Sequence, residues 1–347
     1  MSFRSGVERW SAGIVGLLAS ATLVLGACSV PVPGAKPATL DVRIGLIPAT
    51  ASAPILVPLD SGEYAARGLN VSVQPVTDTA QAMVSVAGGQ FDMGNITMGS
   101  AALNAFSRGT DLKIIAAGGA EPPGHGANLP VIVRTDLIDS GTVKSIADLK
   151  GRKVAINGRG VIIEYALAKA LATAGLTPAD VDVVLLPFPE MLAALTTGAI
   201  DAGLLLQPTG AQAVAKGIGK ILADDYNQNA QNAVVVINSR FLDQHRDAIT
   251  GFLEVYIKTV RRLSDGKLKS DDQALAALQK YTNTPPDVIR LGPDPFWPKD
   301  GKVLLDSVAD EQKFFMANHG TDYAQPLDLQ KLVDYGPLEA ALKNIGG

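Results

Sequence analysis

Gly89-Gln90-Phe91-Asp92-Met93-Gly94 and Gly198-Ala199-Ile200-Asp201-Ala202-Gly203 are two copies of one pattern: glycine, any residue, an apolar residue, aspartate, any residue, glycine. An apolar run of helical character comes just before each copy, and a strand follows directly. The likeness extends outward, because an earlier helix closes on a Gly-Leu pair before each copy. Gly68-Leu69 lies 24 residues before Asp92, and Gly175-Leu176 lies 26 residues before Asp201. Two similar α/β halves predict two lobes with something held between them.

In the first half, residues 42–47 read as a buried strand stopped at Pro48. Ala49-Thr50-Ala51-Ser52 is a small polar turn, and the helix after it has Pro54 in its first turn and ends after Arg67 at Gly68. Residues 71–76 alternate as a second strand, and Thr77-Asp78-Thr79 caps a helix running to Ala87. A third strand spans 91–94, residues 95–100 open the next helix, and a fourth strand spans 112–117. Alternation at these lengths implies mostly parallel sheets with right-handed crossovers. In such sheets ligands sit beyond the carboxyl ends of the strands. The loops there carry Thr50, Ser52, Thr97 and Ser100 beside helix N-termini, whose free N–H groups suit an anion or polar head. The competing reading is that these hydroxyls only cap their own helices.

Residues 118–126 are irregular and mark a boundary, and Val131-Ile132-Val133 is a candidate bridge between lobes. The second half repeats the first, with strands at 153–157, 181–186 and 200–206 and helices opening at Gly158-Arg159-Gly160 and Pro187-Phe188-Pro189-Glu190. Gly158-Arg159-Gly160 falls short of a dinucleotide fingerprint, because Ile163 holds the third glycine position. Arg159, the one strong cation in these loops, would approach a ligand together with Glu190 and Gln207. Residues 232–238 form an apolar strand that returns to the first lobe. Helices follow at 240–263 and 271–281 and from 284, and residues 329–345 are laid on the first lobe as two short helices. The aromatics of the last third are mainly core, with Trp297 alternatively a cleft wall.

At 347 residues the chain predicts about two domains, and 47% hydrophobic against 18% charged residues gives it real cores. A basic start, an apolar stretch and small residues up to Ala27 read as a secretory signal over 1–27. Without residues 1–27, which carry Arg4, Arg9 and Glu8, 28 basic side chains stand against 33 acidic ones, or −5. That balance, with no basic run, argues against nucleic acid. Leu25-Gly26-Ala27-Cys28 resembles a bacterial lipobox, so Cys28, the only cysteine, is the expected lipidation site. Several acyl chains, at about 0.8 kcal/mol per buried CH₂, would hold the protein to a membrane face. Residues 28–40, with Pro31, Pro33 and Pro37, read as a lipidated tether.

Catalytic chemistry is harder to find. His125, His245 and His319 lack neighbours at metal spacing, and no Gly-x-Ser-x-Gly elbow occurs. Asp92 and Asp201 precede the ligand ends of their strands and are read as scaffold. No catalytic residue, metal or cofactor is expected.

These residues carry a resemblance. Tyr64-Ala65-Ala66-Arg67-Gly68-Leu69, residues 89–94, Leu149-Lys150-Gly151-Arg152-Lys153-Val154-Ala155, residues 198–202 and Gln207-Pro208 occur in order over 42–236. In this the chain is similar to the periplasmic substrate-binding proteins of nitrate, sulfonate and taurine ABC importers. The resemblance implies a type II clamshell with two crossovers: first lobe 41–125 plus 232–347, second lobe 126–231. It implies a monomer on the extracytoplasmic face that closes on a sulfonate-, nitrate- or taurine-like anion and passes it to permease and ATPase subunits. A neutral heteroaromatic such as a thiamine-pyrimidine precursor is the alternative ligand, and a tethered sensor or a secreted enzyme the alternative role. Thiamine-pyrimidine-forming enzymes share the fold but use a cysteine-rich motif, which this chain lacks.

Overall fold

Ala233-Val234-Val235-Val236-Ile237 is apolar without a break, as a strand covered on both faces requires. The computed structural model, which describes residues 39–76, 79–124, 126–318 and 320–346, places this run inside a five-stranded sheet. The sheet order is β2 (Leu69–Pro75), β1 (Leu40–Leu46), β3 (Met93–Thr97), β10 (Ala233–Asn238), β4 (Leu112–Ala117). A second five-stranded sheet runs β7 (Asp182–Leu185), β6 (Lys153–Ile156), β8 (Ala202–Leu204), β5 (Val131–Arg134), β9 (Gly219–Ala223). Both are mixed. In the first only β10 is reversed, antiparallel to β3 and β4. In the second β5 is reversed between β8 and β9. The chain therefore crosses between sheets after β4 and again after β9, and the candidate bridge at 131–133 is the reversed strand of the second sheet.

The repeated aspartates close identical corners. Asp92 N–H donates to Arg43 O at 2.9 Å while its carboxylate accepts the Arg43 N–H at 2.8 Å. Asp201 makes the same exchange with Lys153, at 2.9 and 3.0 Å. Each aspartate carbonyl then accepts from the reversed strand, from Asn238 N–H at 2.9 Å and from Arg134 N–H at 3.0 Å. The third strands start just after the aspartate, later than the sequence suggested. Residues 90–91 and 199–200 are still tied back to their helices, donating to Ser85 O and Ala194 O.

Side chains of the first sheet divide by period two between two cores. Val234 and Val236 face one, and Val235 and Ile237 face the other under helix Arg246–Leu263. Other expectations are corrected locally. The helix expected to reach Arg67 ends at Ser61, because Gly62 turns left-handed at φ 77°, and Ala65–Arg67 is a separate 3₁₀ turn. The helix expected over 240–263 breaks at His245, whose φ of −134° is not helical. Trp297 is buried in the first-lobe core, its Nε1–H donating to Ala51 O at 2.9 Å. The expected signal segment, Cys28 and most of the expected tether, Thr77-Asp78, His125 and His319 lie outside the described residues.

The crossovers run side by side. Gly118 N–H donates to Ala233 O at 2.8 Å, Ala233 N–H to Gly119 O at 2.9 Å, and Glu121 N–H to Ala230 O at 2.8 Å. A Cβ on Gly118 would lie 2.9 Å from Ala233 backbone, so the ladder needs glycine there.

Candidate functional site

Four strand ends supply the site. After β1 the chain passes Ile47 into the 3₁₀ turn Thr50–Ser52, and after β3 it passes Gly99 into helix Ser100–Ser107. After β6, residues 157–161 lead into helix Ile162–Ala172, and after β8, residues 205–208 lead into helix Thr209–Ala215. The first pair belongs to one lobe and the second to the other, so the loops face each other.

They also touch. Ser100 donates its N–H to Gly160 O at 2.7 Å and its hydroxyl to the same oxygen at 3.0 Å. Gly99 pairs antiparallel with Val161, and a Cβ on Gly99 would sit 2.6 Å from Gly160 O, so only glycine allows this approach. Thr50 N–H reaches Gln207 O at 3.4 Å. Two cavities remain between the lobes. The outer one, about 250 Å³, is lined by Ile47, Thr79, Thr97, Ser100, Asn157 and Arg159 among others. An inner one, about 40 Å³, includes Ser52, Asn95, Asn128 and Asn232 and shares Ile47 and Thr97 with the first. A roomier groove of about 740 Å³ lies elsewhere, with Lys169, Lys302, Asp306 and Asp310 on its walls. It contains none of the four strand-end loops, so position outweighs volume here.

The outer cavity offers hydroxyls and a cation that already have partners. Thr79 and Thr97 hydroxyls lie 2.6 Å apart. Arg159 Nη1 donates to Glu164 at 2.7 Å, and the other Glu164 oxygen accepts Gly160 N–H at 2.7 Å. Asn157 Oδ1, by contrast, is buried without a partner among the described residues, as are Oδ1 of Asn95 and Asn232, two residues of the inner cavity's lining. Behind Asn232 stands Glu121, only 1% exposed. It accepts Asn232 Nδ2 and Asn128 N–H, each at 2.7 Å, while burial pushes its carboxyl up to about 7.

Of the expected contacts, Thr97, Ser100 and Arg159 meet at the outer cavity and Ser52 lines the inner one. Thr50 and Gln207 meet each other through their backbones, and Gln207 Oε1 accepts Ala211 N–H at 3.0 Å. Glu190 is exposed on helix Phe188–Thr197 and lines neither cavity. Thr79, Asn128, Asn157 and Asn232 also line these cavities and Glu121 stands behind Asn232, and the sequence reading named none of them. A strand-end asparagine at 157 and a lone carboxylate in the Gly/Pro-rich crossover were the available signals. Among the described residues, no group of three or more His, Cys, Asp or Glu could hold a metal, and no helix is long and apolar enough to cross a membrane.

The comparisons bear on the fold and the family. A putative aliphatic sulfonates-binding protein of Escherichia coli (strain K12) is 27% identical over 203 residues, covering 57% of this chain and 59% of that protein. The chain thus spans well under two thirds of the length of this curated relative. The crystal structure of the periplasmic aliphatic sulphonate binding protein of Escherichia coli shares the fold at TM-score 0.69 and 20% identity, covering 86% of this chain and 99% of that one. The periplasmic nitrate-binding protein of Synechocystis PCC 6803 does so at 0.67 and 18%, covering 89% of each. A desulfurization enzyme has the fold too, at 0.61 and 14%, covering 88% of this chain and 99% of that one. Architecture alone therefore does not separate binding from catalysis. One match settles kinship: the model of the NMT1-like family fits residues 35–278, more than half of the sequence, and the chain belongs to that family.

Proposed function

We propose that this chain is an extracytoplasmic solute-binding protein that delivers a small solute to an ABC importer. Its first lobe would be 41–125 plus 232–347 and its second 126–231, with Cys28 lipidated to hold a monomer at the membrane. The observation that carries the reading is the pair of facing strand-end loops, joined by few hydrogen bonds around two cavities. A ligand contacting both lobes stabilises the closed form and shifts the population toward it. Permease subunits would read that form.

The favoured solute is a sulfonate-, nitrate- or taurine-like anion at the outer cavity, near Thr97, Ser100 and Arg159. The names of the binding-protein relatives support this class. Charged hydrogen bonds contribute about 1.5–3 kcal/mol, so Arg159→Ala should weaken such an anion tenfold or more. Affinity unchanged by that substitution would favour a second reading, a neutral amino-heteroaromatic. The Glu164 carboxylate already neutralising Arg159 supports that alternative. Calorimetric titration with ethanesulfonate, nitrate and aminopyrimidines tests both. Saturable binding without turnover is expected, and conversion of any bound compound would replace the binding role with an enzymatic one.

A further inference from the structure

Where the strand-end loops of the two lobes meet, the short hydrogen bonds end on one atom, Gly160 O. Ser100 donates both its N–H and its hydroxyl to it, at 2.7 and 3.0 Å, beside the antiparallel pair Gly99 and Val161. Ser100 is the first residue of helix Ser100–Ser107, so its N–H has no acceptor within the helix. The acceptor it has belongs to the other lobe.

The loop that carries this carbonyl is not rigid by sequence. Asn157-Gly158-Arg159-Gly160-Val161 follows β6 with two glycines in five residues, and Gly160 takes a left-handed φ of 69°. A loop that samples many conformations gives up that freedom each time it docks. The helix after it, Ile162–Ala172, is anchored: Ile162 and Ile163 are each 1% exposed in the core. From the first turn of that helix Glu164 reaches back over the junction. One carboxylate oxygen accepts Gly160 N–H and the other accepts Arg159 Nη1, both at 2.7 Å, while Glu164 N–H donates to Val161 O at 2.9 Å. A hydrogen bond to a charged acceptor is worth about tenfold or more in an equilibrium constant. The Arg159 side chain is 52% exposed, so the ion pair is the weaker of the two holds. Glu164 lines neither cavity and therefore acts through the loop.

We propose that Glu164 is a positioning residue for closure. By pinning Gly160 to an anchored helix it presents the Gly160 carbonyl to Ser100, and so sets how readily the lobes close. The inference rests on the solute-binding reading above and deepens it. It gives the carboxylate a task besides neutralising Arg159, one that is independent of the charge of the solute.

Hydrogen–deuterium exchange of the purified full chain reads the Ser100 amide directly. The measurement is made without added solute, so a wrong choice of solute does not decide it. Glu164→Ala should speed exchange at Ser100 fivefold or more, while the amides of Val234, Val235 and Val236 in β10 keep their wild-type rates. Glu164→Gln retains an oxygen for Gly160 N–H and should exchange at Ser100 at least threefold more slowly than Glu164→Ala, a rescue that a space-filling role would not require. Glu164→Met keeps the arm without an acceptor and carries the test if Glu164→Ala does not fold. Arg159→Ala should change Ser100 exchange by less than threefold, because Gly160 N–H keeps its acceptor. Ser100 protection that survives both Glu164→Ala and Glu164→Met overturns the proposal and leaves the binding role intact. Equal loss of protection in Arg159→Ala and Glu164→Ala would assign the effect to the ion pair and overturn it as well.

Discussion

The corner at Asp92 and the corner at Asp201 have the same backbone and different side chains around it. In the first lobe Arg43 adds a fork: its Nη2 meets Asp92 Oδ1 at 2.7 Å and its Nε meets Oδ2 at 3.0 Å. In the second lobe Lys153 offers Asp201 only its N–H, and the nearest guanidinium, Arg134, stands 3.8 Å away and is engaged by Asp136. The Asp92 side chain is 6% exposed, that of Asp201 23%. The repeat therefore specifies the turn, and the ion pair is a local addition. The lobes differ in the same sense at larger scale. In the first sheet β3, β4 and β10 are largely buried and the exposed residues of β1 and β2 are mainly polar, while the edge strands of the second leave Leu185 and Ile221 half exposed.

The largest expected effect tests that difference in cover. Phe252 is fully buried under the first sheet and stacks on Tyr64 with ring centroids 4.7 Å apart. Phe252→Ala should cost about 3–5 kcal/mol in urea unfolding, by lost burial plus a cavity. A cost near 1 kcal/mol would mean that the first lobe is no better packed than the second.

Between the lobes sits a carboxylate unlike either corner aspartate. Burial raises Glu121 from its ordinary 4.5 to about 7. The folded state therefore holds a proton that the unfolded state has already lost between those values. The associated stability is fully present below pH 4.5 and is lost as pH rises to about 7, by about 3 kcal/mol. Urea midpoints at pH 5 and pH 8 should differ less in Glu121→Gln than in the wild type. Glu311, buried and likewise raised, contributes a slope of the same sign to both proteins and cancels in the comparison. An unchanged pH slope in the variant would show that Glu121 stays ionised in the fold.

Much of this was legible because it is local or repeated. The twin pattern marked both corners, and hydrophobic runs located most strands to within a few residues, whereas β9 was not anticipated and β5 was read only as a bridge between lobes. The strand-end loops also followed from topology, so Thr97, Ser100 and Arg159 were brought to one cavity. Long-range pairing was not legible. Asn232 and Glu121 are 111 residues apart and meet only because the two crossovers run side by side. Glu190 lines neither cavity for another reason: a residue in the first turn of a helix can face the cleft or away, and the spacing did not say which. The Arg159–Glu164 pair is five residues apart and could have been anticipated.

The smallest effects resolve the opening comparison. Asp92→Ala removes two contacts to a guanidinium and one to an N–H, whereas Asp201→Ala removes one to an N–H with a weak charge contact. Arg43 is 45% exposed, so losing Asp92 leaves it in water and not as a stranded buried charge. The expected cost is therefore about 2 kcal/mol for Asp92→Ala, below that of breaking a fully buried pair. For Asp201→Ala it is about 1 kcal/mol, since water can reach the freed Lys153 N–H. Arg43→Met supplies the missing step, because it deletes the fork and leaves the backbone corner. In that background Asp92→Ala should cost about as much as Asp201→Ala does, with the double-mutant difference reporting the ion pair alone. If Asp92→Ala and Asp201→Ala are already equal in the native sequence, the guanidinium contributes nothing measurable, and the two corners are energetically as alike as their sequences.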